Sequence, residues 1–367
     1  MASSRMVSHY KDYLYSICKS EDLSEATRLL EACQTHGFFY LGLQDFPEGE
    51  TLLAEANQLQ SLAQSAFSLP LPEKLRYSLK KGISLFGYKP AGTIKQTDPS
   101  HRPDRTEFFN ISKDYLHYGT ALSPFPSSSS PSLPTSTTTP YPPVIESSKS
   151  LLKSFTKHSH DVGMIILQTL ARQLNLPNDQ EFTNLNRFDQ PSGDHCRLIK
   201  TSGSPQASSS NSEKSIGLPS HTDFGSVTIL FNWLGGLQIE SSSPTEEEFK
   251  WQWVKPIPNH AIINFGDAMV TFTNGALKSA KHRVVPLPGE QATRDRHSVV
   301  YFVRPHNDVP MKPVAGFDTG GDRVKAAGKF SPVAAPGKEQ QQQQQQGKTP
   351  VLTAGEWMVK RAIQLGN

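Results

Sequence analysis

Short β-rich runs separated by turn residues fill the chain from about Thr183 to Arg304. In chain order the runs are CRLIKT, SVTILFNW, GLQIE, WQWV, AIINF, MVTFT, HRVVPL and HSVVYFV. Asn274-Gly275, which follows the sixth run, is a strong turn signal. Many short strands at such close spacing are typical of a β-sandwich or a β-barrel. The sequence therefore predicts a β core in this region.

Helical patterns flank the β-rich region. Near the start, Ala26, Leu29, Leu30 and Cys33 follow the i, i+3, i+4, i+7 spacing of one helix face, and Gly37 ends the helix. The other predicted elements are a strand at Phe38–Leu43 and helices at about Thr51–Phe67, Ile145–Leu174 and Thr353–Leu365. We therefore predict a fold that is mainly β with flanking helices (α+β).

Three polar tracts interrupt these elements, and they lower the hydrophobic share of the chain to 36%. Residues 123–143 are rich in Ser and Pro, Thr201–Ser215 is rich in Ser, and 340–346 is a run of Gln. Such tracts cannot build a packed core. The predicted organisation is an N-terminal region (1–122), an insertion (123–143), a core that includes the long helix 145–174 (144–304), a low-complexity segment (305–350) and a C-terminal helix (351–367).

Charge and cysteine content argue against several classes of partner. The chain has 37 basic and 34 acidic residues, a net charge of +3, which gives no electrostatic reason to expect nucleic acid or a membrane surface. No apolar stretch has the length of a membrane span or of a signal-peptide core. Cys18, Cys33 and Cys196 are scattered, so a disulfide framework is not expected. These features favour a cytoplasmic protein and give no indication of a nucleic-acid or membrane partner.

His221-Thr222-Asp223 carries the first indication of chemistry. In an extended chain, residues i and i+2 point to the same side, so the imidazole and the carboxylate can bind one metal ion. His282 begins a later β-run and is the best placed third ligand. Two His and one carboxylate on one face of an octahedron hold non-haem iron and leave positions open for other ligands. The alternative is an exposed polar pair at a strand edge.

Arg296 and Ser298 form a second pair on one side of a strand. They follow His282 and open the alternating run HSVVYFV. A guanidinium bonds a carboxylate through two N–H groups, and a hydroxyl adds a third contact, which suits the far carboxylate of 2-oxoglutarate. Taken alone, Arg296 is equally consistent with a surface residue before a strand.

The order of these and other motifs resembles the isopenicillin N synthase-like family of Fe(II)/2-oxoglutarate-dependent dioxygenases. In the C-terminal half the resemblance rests on His221-Thr-Asp223-Phe-Gly-Ser-Val-Thr-Ile-Leu, Gly235-Gly-Leu-Gln-Ile, Asn264-Phe-Gly-Asp267, His282-Arg-Val and Arg296-His-Ser298. In the N-terminal half it rests on Ala32-Cys-Gln-Thr-His-Gly37-Phe-Phe, Phe67-Ser-Leu-Pro70 through Lys74, Gly87-Tyr88, Asp104 through Glu107 and Phe109-Asn-Ile111. The similarity covers most of the chain outside the polar tracts.

The resemblance implies a double-stranded β-helix (jelly-roll) core, a region 1–122 of the non-haem dioxygenase type and a structural turn at Asn264–Asp267. It implies Fe(II) on His221, Asp223 and His282, with 2-oxoglutarate on Arg296 and Ser298, and dioxygen as the other co-substrate. The implied reaction is hydroxylation, desaturation or ring modification of a small organic substrate in secondary metabolism. Two alternatives stay open, namely an iron oxidase that uses no 2-oxo acid and a catalytically silent binding protein on the same scaffold.

The chain also departs from the family pattern. The usual first strand is absent or degenerate near Met6-Val7, and Ile199 and Thr201 replace an Asn and a Tyr that many relatives use near the co-substrate. Arg197 or Lys200 are candidates to substitute for that contact. Further candidates for lining the pocket are His195, Phe231 and Trp233, of which the two aromatic residues are equally consistent with core packing.

Overall fold

The computed structural model describes residues 14–16, 23–44, 46–80, 84–93, 104–119, 139–178, 181–203, 216–241, 250–287, 289–317 and 350–364. Most of the predicted insertion at 123–143, most of the Ser-rich tract at 201–215 and the Gln run lie outside these residues, as does Met6-Val7.

Strands and helices occur in the mixture that the sequence predicts. The strands are β1 (Leu14–Ser16), β2 (Phe38–Gly42), β3 (Gly87–Lys89), β4 (Thr106–Ser112), β5 (His195–Thr201), β6 (Leu218–His221), β7 (Val227–Asn232), β8 (Leu237–Ser241), β9 (Lys250–Trp253), β10 (His260–Phe265), β11 (His282–Val284) and β12 (Arg296–Val303). The helices are α1 (Leu23–Thr35), α2 (Pro47–Ser68), α3 (Leu71–Leu75), α4 (Lys113–Tyr118), α5 (Pro143–Glu146), α6 (Lys149–Gln173), α7 (Glu181–Leu185), α8 (Asp267–Phe272) and α9 (Ala354–Gln364).

Two sheets form the β core. The major sheet has the strand order β1-β2-β10-β7-β12-β5-β4-β3, and the minor sheet has the order β6-β11-β8-β9. Neighbouring strands are mostly far apart in sequence, as in a jelly-roll, and apart from the parallel β1–β2 pair all strand pairs within the described residues are antiparallel. The predicted double-stranded β-helix with flanking helices is therefore confirmed.

The side chains of β2 alternate between two apolar clusters, one on each face of the major sheet. Phe39 and Leu41 belong to the large apolar cluster that the major sheet forms with α1, α2 and α6. Phe38 and Tyr40 point the other way, into a smaller cluster with side chains of both sheets, among them Ile262. All five residues of β2 are buried as a result, which explains the continuous apolar run FFYLG.

The side chains between the two sheets define what we call the inner face. Ile262 lies on this face, and Leu230, Val300, Arg197 and Asn110 are its successive direct cross-strand partners across the major sheet. Directly paired residues point to the same side of a sheet. Every second residue along β7, β12, β5 and β4 counted from these positions therefore also lies on the inner face.

Three predicted elements differ from the structure. The run MVTFT, predicted as a strand, lies in α8, where Met269 and Phe272 are buried at helical spacing; a short apolar run does not distinguish the two periods. The helix predicted at 145–174 is divided into α5 and α6. The helix predicted from Thr51 begins earlier, at Pro47, whose fixed φ suits a first helical turn.

One further local expectation holds, and the expectation for the first strand is corrected. Gly37 ends α1 with φ +63°, a left-handed conformation in which a Cβ would overlap the carbonyl oxygen of Lys278. An edge strand is present, because β1 pairs with β2 in parallel, although it lies at Leu14–Ser16 rather than near Met6-Val7. Within the described ranges, no helix combines the length and the apolarity that crossing a bilayer requires.

Candidate metal and co-substrate site

Strand pairing in the minor sheet brings two of the predicted ligands together. β6 and β11 are antiparallel, and His282 is the direct partner of His221 in the register. The centroids of the two imidazole rings are 4.4 Å apart. The sequence identifies both residues, but this cross-strand pairing of His221 with His282 appears only in the folded chain.

Backbone contacts leave the same nitrogen of each imidazole free. Nδ1 of His221 lies 2.8 Å from the carbonyl oxygen of Pro219, and Nδ1 of His282 lies 2.9 Å from that of Ala280. Since a carbonyl oxygen can only accept, each Nδ1 carries the proton and donates it. The lone pair of each ring is therefore on Nε2, the arrangement that a metal-binding histidine needs.

Asp223 completes the cluster through one carboxylate oxygen. Its Oδ1 lies 3.9 Å from Nε2 of His221. Its Oδ2 accepts hydrogen bonds from Oγ1 of Thr228 and Nδ2 of Asn264, both at 2.7 Å. The candidate ligand atoms of Asp223, His221 and His282 all lie within 4.8 Å of one another. Two imidazoles with free Nε2 atoms and one carboxylate with a free oxygen form a donor set that fits Fe(II).

Electrostatics keep Asp223 and His221 in the protonation states that bind a cation. Burial raises the pKa of Asp223, but His282, His221 and the two hydrogen bonds outweigh it and hold that pKa at about 2. Burial and the neighbouring His282 lower the pKa of His221 to about 4. At neutral pH the aspartate is therefore ionised and His221 is neutral.

The segment after β10 holds the turn that follows Asp223 in place. The backbone N–H of Asp267 donates to the carbonyl oxygen of Asp223 at 2.8 Å. A Cβ on Gly266 would overlap the carbonyl oxygen of Gly225 and lie 2.7 Å from that of Asp223. Together with the bond from Asn264 to Asp223, these contacts correct the expectation that Asn264–Asp267 is a structural turn alone.

The C-terminal helix reaches the same turn. The carboxylate of Asp267 accepts from Oγ1 of Thr222 at 3.1 Å and forms an ion pair with Arg361 of α9. The guanidinium of Arg361 also lies over the ring of Phe224, next to the metal-bearing segment. The helix predicted at the end of the chain is therefore part of the wall around the site.

Arg296 lies on the inner face of β12 and is only 2% exposed. Its Nε donates to the carbonyl oxygen of Gly235 at 2.9 Å, and Nη1 donates to Oγ of Ser298 at 3.0 Å. Burial lowers its pKa to about 10, so the group stays charged. Among the described residues no carboxylate forms an ion pair with it. A buried cation without an anion is costly, and a carboxylate ligand would remove that cost.

The strand β5 places the two departures from the family pattern next to this anchor. Thr201 is the direct partner of Arg296, and Ile199 is the direct partner of Ser298. The hydroxyl of Thr201 lies 2.9 Å from that of Thr106. The two positions therefore lie beside Arg296 and Ser298, the candidate co-substrate anchor, and neither side chain offers the phenol that a Tyr would place there.

Two of the five predicted pocket residues lie on the inner face. Arg197 donates through Nε to Oδ1 of Asn110 at 2.7 Å. His195 is fully buried, its Nδ1 lies 2.8 Å from the carbonyl oxygen of Gly193, and its ring stacks on that of Phe302 at 4.7 Å. Burial lowers the pKa of His195 well below its usual value, so it is neutral.

The other three predicted pocket residues lie on the helix side of the major sheet. This position contradicts the pocket assignment of Lys200 and favours the core-packing alternative for Phe231 and Trp233. Lys200 points away from the inner face and pairs with Asp295 at 3.1 Å. Phe231 is 2% exposed and packs on Phe155 of α6. Trp233 donates from Nε1 to Oδ1 of Asn57 of α2. The alternation of strand side chains puts all three on the face opposite the metal ligands.

Comparison with known proteins identifies the family of the chain. Residues 193–305 match the 2OG-Fe(II) oxygenase superfamily, and residues 13–124 match the family described as non-haem dioxygenase in morphine synthesis N-terminal. A 2-oxoglutarate-dependent dioxygenase of Aspergillus fumigatus is 31% identical over 80% of this chain and 74% of its own length. Another, from a Dothideomycetidae species, is 29% identical over 81% of this chain and 82% of its own.

Solved structures share the fold. A full-length Neurospora crassa protein crystallised in complex with alpha-KG superposes with a TM-score of 0.68 at 20% identity, covering 96% of this chain and 97% of that one. A 2OG-Fe(II) oxygenase family protein of Caulobacter crescentus gives a TM-score of 0.64 at 21% identity, covering 94% and 99%. With two family matches, a relative above 30% identity and a common fold, the chain belongs to the 2OG-Fe(II) oxygenase superfamily.

Proposed function

We propose that His221, Asp223 and His282 hold the Fe(II) of this oxygenase, and that Arg296 with Ser298 holds the far carboxylate of 2-oxoglutarate. The protein is an Fe(II)- and 2-oxoglutarate-dependent oxidoreductase by its family. One observation carries the assignment of residues. It is the cross-strand histidine pair with both Nε2 atoms free, beside an aspartate whose Oδ1 has no hydrogen-bond partner among the described residues.

The chain's own residues orient and shield the reactants. Fe(II), when bound with 2-oxoglutarate and dioxygen, supplies an oxidant for C–H bonds while 2-oxoglutarate becomes succinate and carbon dioxide. Thr228 and Asn264 fix the direction of the Asp223 carboxylate. Arg296 offers a charged anchor on β12. Phe302 lies on the same strand, and its buried ring and that of His195 exclude water between the sheets.

We further propose that residues 144–304 are the catalytic core, enclosed by the region 1–122 and by α9. The contacts of Arg361 with Asp267 and of Asn57 with Trp233 support this division. The proposed substrate is a small organic molecule of secondary metabolism, and the proposed location is the cytosol, supported by the buried, unpaired Cys33 and Cys196. Cell fractionation tests the location.

The test of the metal and co-substrate assignment is the visible charge-transfer band that forms when 2-oxoglutarate chelates protein-bound Fe(II) without oxygen. We expect the band in the wild type, its loss in His221→Ala and a weaker affinity for 2-oxoglutarate in Arg296→Gln. A protein that binds iron but shows no band would favour an oxidase that uses no 2-oxo acid. A protein that binds no iron would favour a silent binding protein.

Two matched controls are available. His260→Ala removes a histidine whose Nδ1 makes the same contact, 2.7 Å to the carbonyl oxygen of Pro258, but which lies outside the three-residue cluster. Arg294→Gln removes an exposed arginine two residues before Arg296. Both controls are expected to keep the wild-type band. A band that survives His221→Ala as well as it survives His260→Ala would contradict the assignment.

A further inference from the structure

Two arginines border one aromatic ring on the inner face. The guanidinium carbon of Arg197 lies 4.7 Å from the centroid of Phe302, and that of Arg304 lies 5.7 Å from the same centroid. Phe302 is 5% exposed and pairs with His195 and Thr228, so it lies in the row that supports Asp223. The two cations therefore lie beside the metal site, on the same side of the major sheet as the co-substrate anchor.

Arg197 has a fixed position and no anionic partner. Its Nε donates to Asn110, its guanidinium stacks 4.3 Å from the centroid of Phe108, and Nη2 lies 3.5 Å from Nε2 of His195. No carboxylate of a described residue forms an ion pair with it. Burial and the nearby Arg304 lower its pKa to about 9, while Asp223 raises it. The group is thus a preoriented charge at neutral pH.

Arg304 is also a buried arginine with a donor group that has no partner. It is 7% exposed, and its Nε has no hydrogen-bond partner, while Nη1 contacts the sulfur of Met358. Burial lowers its pKa to about 10. The carboxylates of Asp223 and Asp194 act in the opposite direction and raise that pKa. Asp194 accepts from the backbone N–H of Arg304 through Oδ1 and from the hydroxyl of Tyr301 through Oδ2. A buried guanidinium with an unused donor is energetically unfavourable unless a ligand satisfies it.

The reactants already assigned to the site would not neutralise these charges. The positive charges of Fe(II) and Arg296 offset those of the two carboxylates of 2-oxoglutarate and of Asp223. Asp194, which raises the pKa of Arg304, offsets that cation, so Arg197 would remain as a surplus positive charge beside Phe302. A further anion is needed to balance this positive charge, and the substrate is the remaining reactant that can supply it.

We propose that Arg197, with Arg304 beside it, binds an anionic group of the substrate, and that the protein acts on small organic acids that carry a carboxylate. The inference rests on the proposed function, since it names the substrate class of the same site. A carboxylate can accept two N–H groups from a guanidinium, and Phe302 and Phe108 supply apolar walls on either side of Arg197.

The test compares carboxylates with their neutral amides. Acetate and acetamide, benzoate and benzamide, and phenylacetate and phenylacetamide are titrated calorimetrically into the full-length protein with Fe(II) and saturating 2-oxoglutarate, without oxygen and at constant ionic strength. We expect at least one carboxylate to bind tighter than its amide by about tenfold or more. Arg197→Gln should abolish this preference and Arg304→Gln should reduce it.

The control is Lys200→Gln, which removes a positive charge from the helix side of the same strand and should keep the preference. Three results would overturn the inference. They are equal binding of each carboxylate and its amide, absence of binding by all six compounds, and a carboxylate preference that persists in Arg197→Gln. The inference would also be overturned by a preference that disappears only in Arg296→Gln, because the carboxylates would then occupy the co-substrate anchor. The charge-transfer band is recorded on the same samples. A band without carboxylate preference refutes this inference alone, and a preference without a band refutes the co-substrate assignment instead.

Discussion

The hydroxyl of Thr228 is expected to strengthen iron binding although it is not a ligand. It donates to Oδ2 of Asp223 at 2.7 Å, and Asn264 donates to the same oxygen at the same distance. Each is a hydrogen bond to an ionised group, worth about 1.5–3 kcal/mol. These bonds aim Oδ1 at the metal position and keep the carboxylate ionised.

Thr228→Val removes one of these bonds with almost no change in shape. If half or more of its energy is expressed in metal affinity, the dissociation constant for Fe(II) should rise about tenfold, within the range of about 10–100-fold typical of residues that support a metal ligand. Asn264→Ala should have an effect of the same order. In the double variant the carboxylate keeps neither bond, so we expect a loss beyond that of either single variant.

The assay is anaerobic competition with a chromogenic Fe(II) chelator, paired with urea unfolding of the metal-free proteins. Thr106→Val is the control, since it removes an equally buried strand hydroxyl that bonds Thr201 and the carbonyl oxygen of Gly217 rather than Asp223. Fe(II) affinities of Thr228→Val and Asn264→Ala within twofold of the wild type would refute the role assigned to these bonds.

Three further predictions concern the same site. In the metal-free protein the free energy of unfolding should fall as pH drops from about 6.5 to about 4, because folded His221 stays neutral over a range in which the unfolded residue binds a proton. Urea titrations at several pH values should show that the free energy of unfolding of His221→Gln depends less steeply on pH, and equal pH dependence in the two proteins would count against this. Arg296→Lys keeps the charge but loses the fork geometry and the bond to Gly235, so titration of the charge-transfer band should give about tenfold weaker 2-oxoglutarate binding, and unchanged affinity would contradict it. Gly266→Ala should cost about 1–3 kcal/mol in urea unfolding, because its Cβ would overlap the backbone of Gly225; wild-type stability would show that the turn can relax.

Much of the site could be predicted because its residues follow simple periodicities. His221 and Asp223 are two apart on an extended segment, as are Arg296 and Ser298, and the family pattern adds His282. The register could not be predicted, because cross-strand partners lie far apart in sequence. The pairing of His282 with His221, and of Thr201 with Arg296, is visible only in the folded chain.

The residues that the sequence analysis missed lie where periodicity is interrupted. Thr228 follows Asp223 after a turn, so counting alternate positions from the metal ligands does not place it on the inner face. Asn264 has the polar side chain that such a contact needs, but it lies on another strand. Arg304 directly follows β12 and becomes informative only because its Nε is buried without a partner.

One of the two errors could have been avoided from the sequence, and the other could not. Lys200 is one residue away from Ile199 and Thr201, so it had to point to the opposite side of β5 from the co-substrate contact. The run MVTFT follows Gly266, and its buried residues Met269 and Phe272 are three apart, which fits a helix turn as well as a strand. Length and alternation alone could not choose between these two structures.

The most direct test of the central claim is a crystal structure of the full-length protein grown without oxygen with Fe(II) and 2-oxoglutarate, with anomalous diffraction recorded on both sides of the iron absorption edge. We expect one iron peak bonded to Nε2 of His221, Nε2 of His282 and Oδ1 of Asp223. We also expect 2-oxoglutarate with its far carboxylate on Arg296 and Ser298. Iron bound elsewhere, or iron at these three residues with 2-oxoglutarate bound away from Arg296, would contradict the central claim.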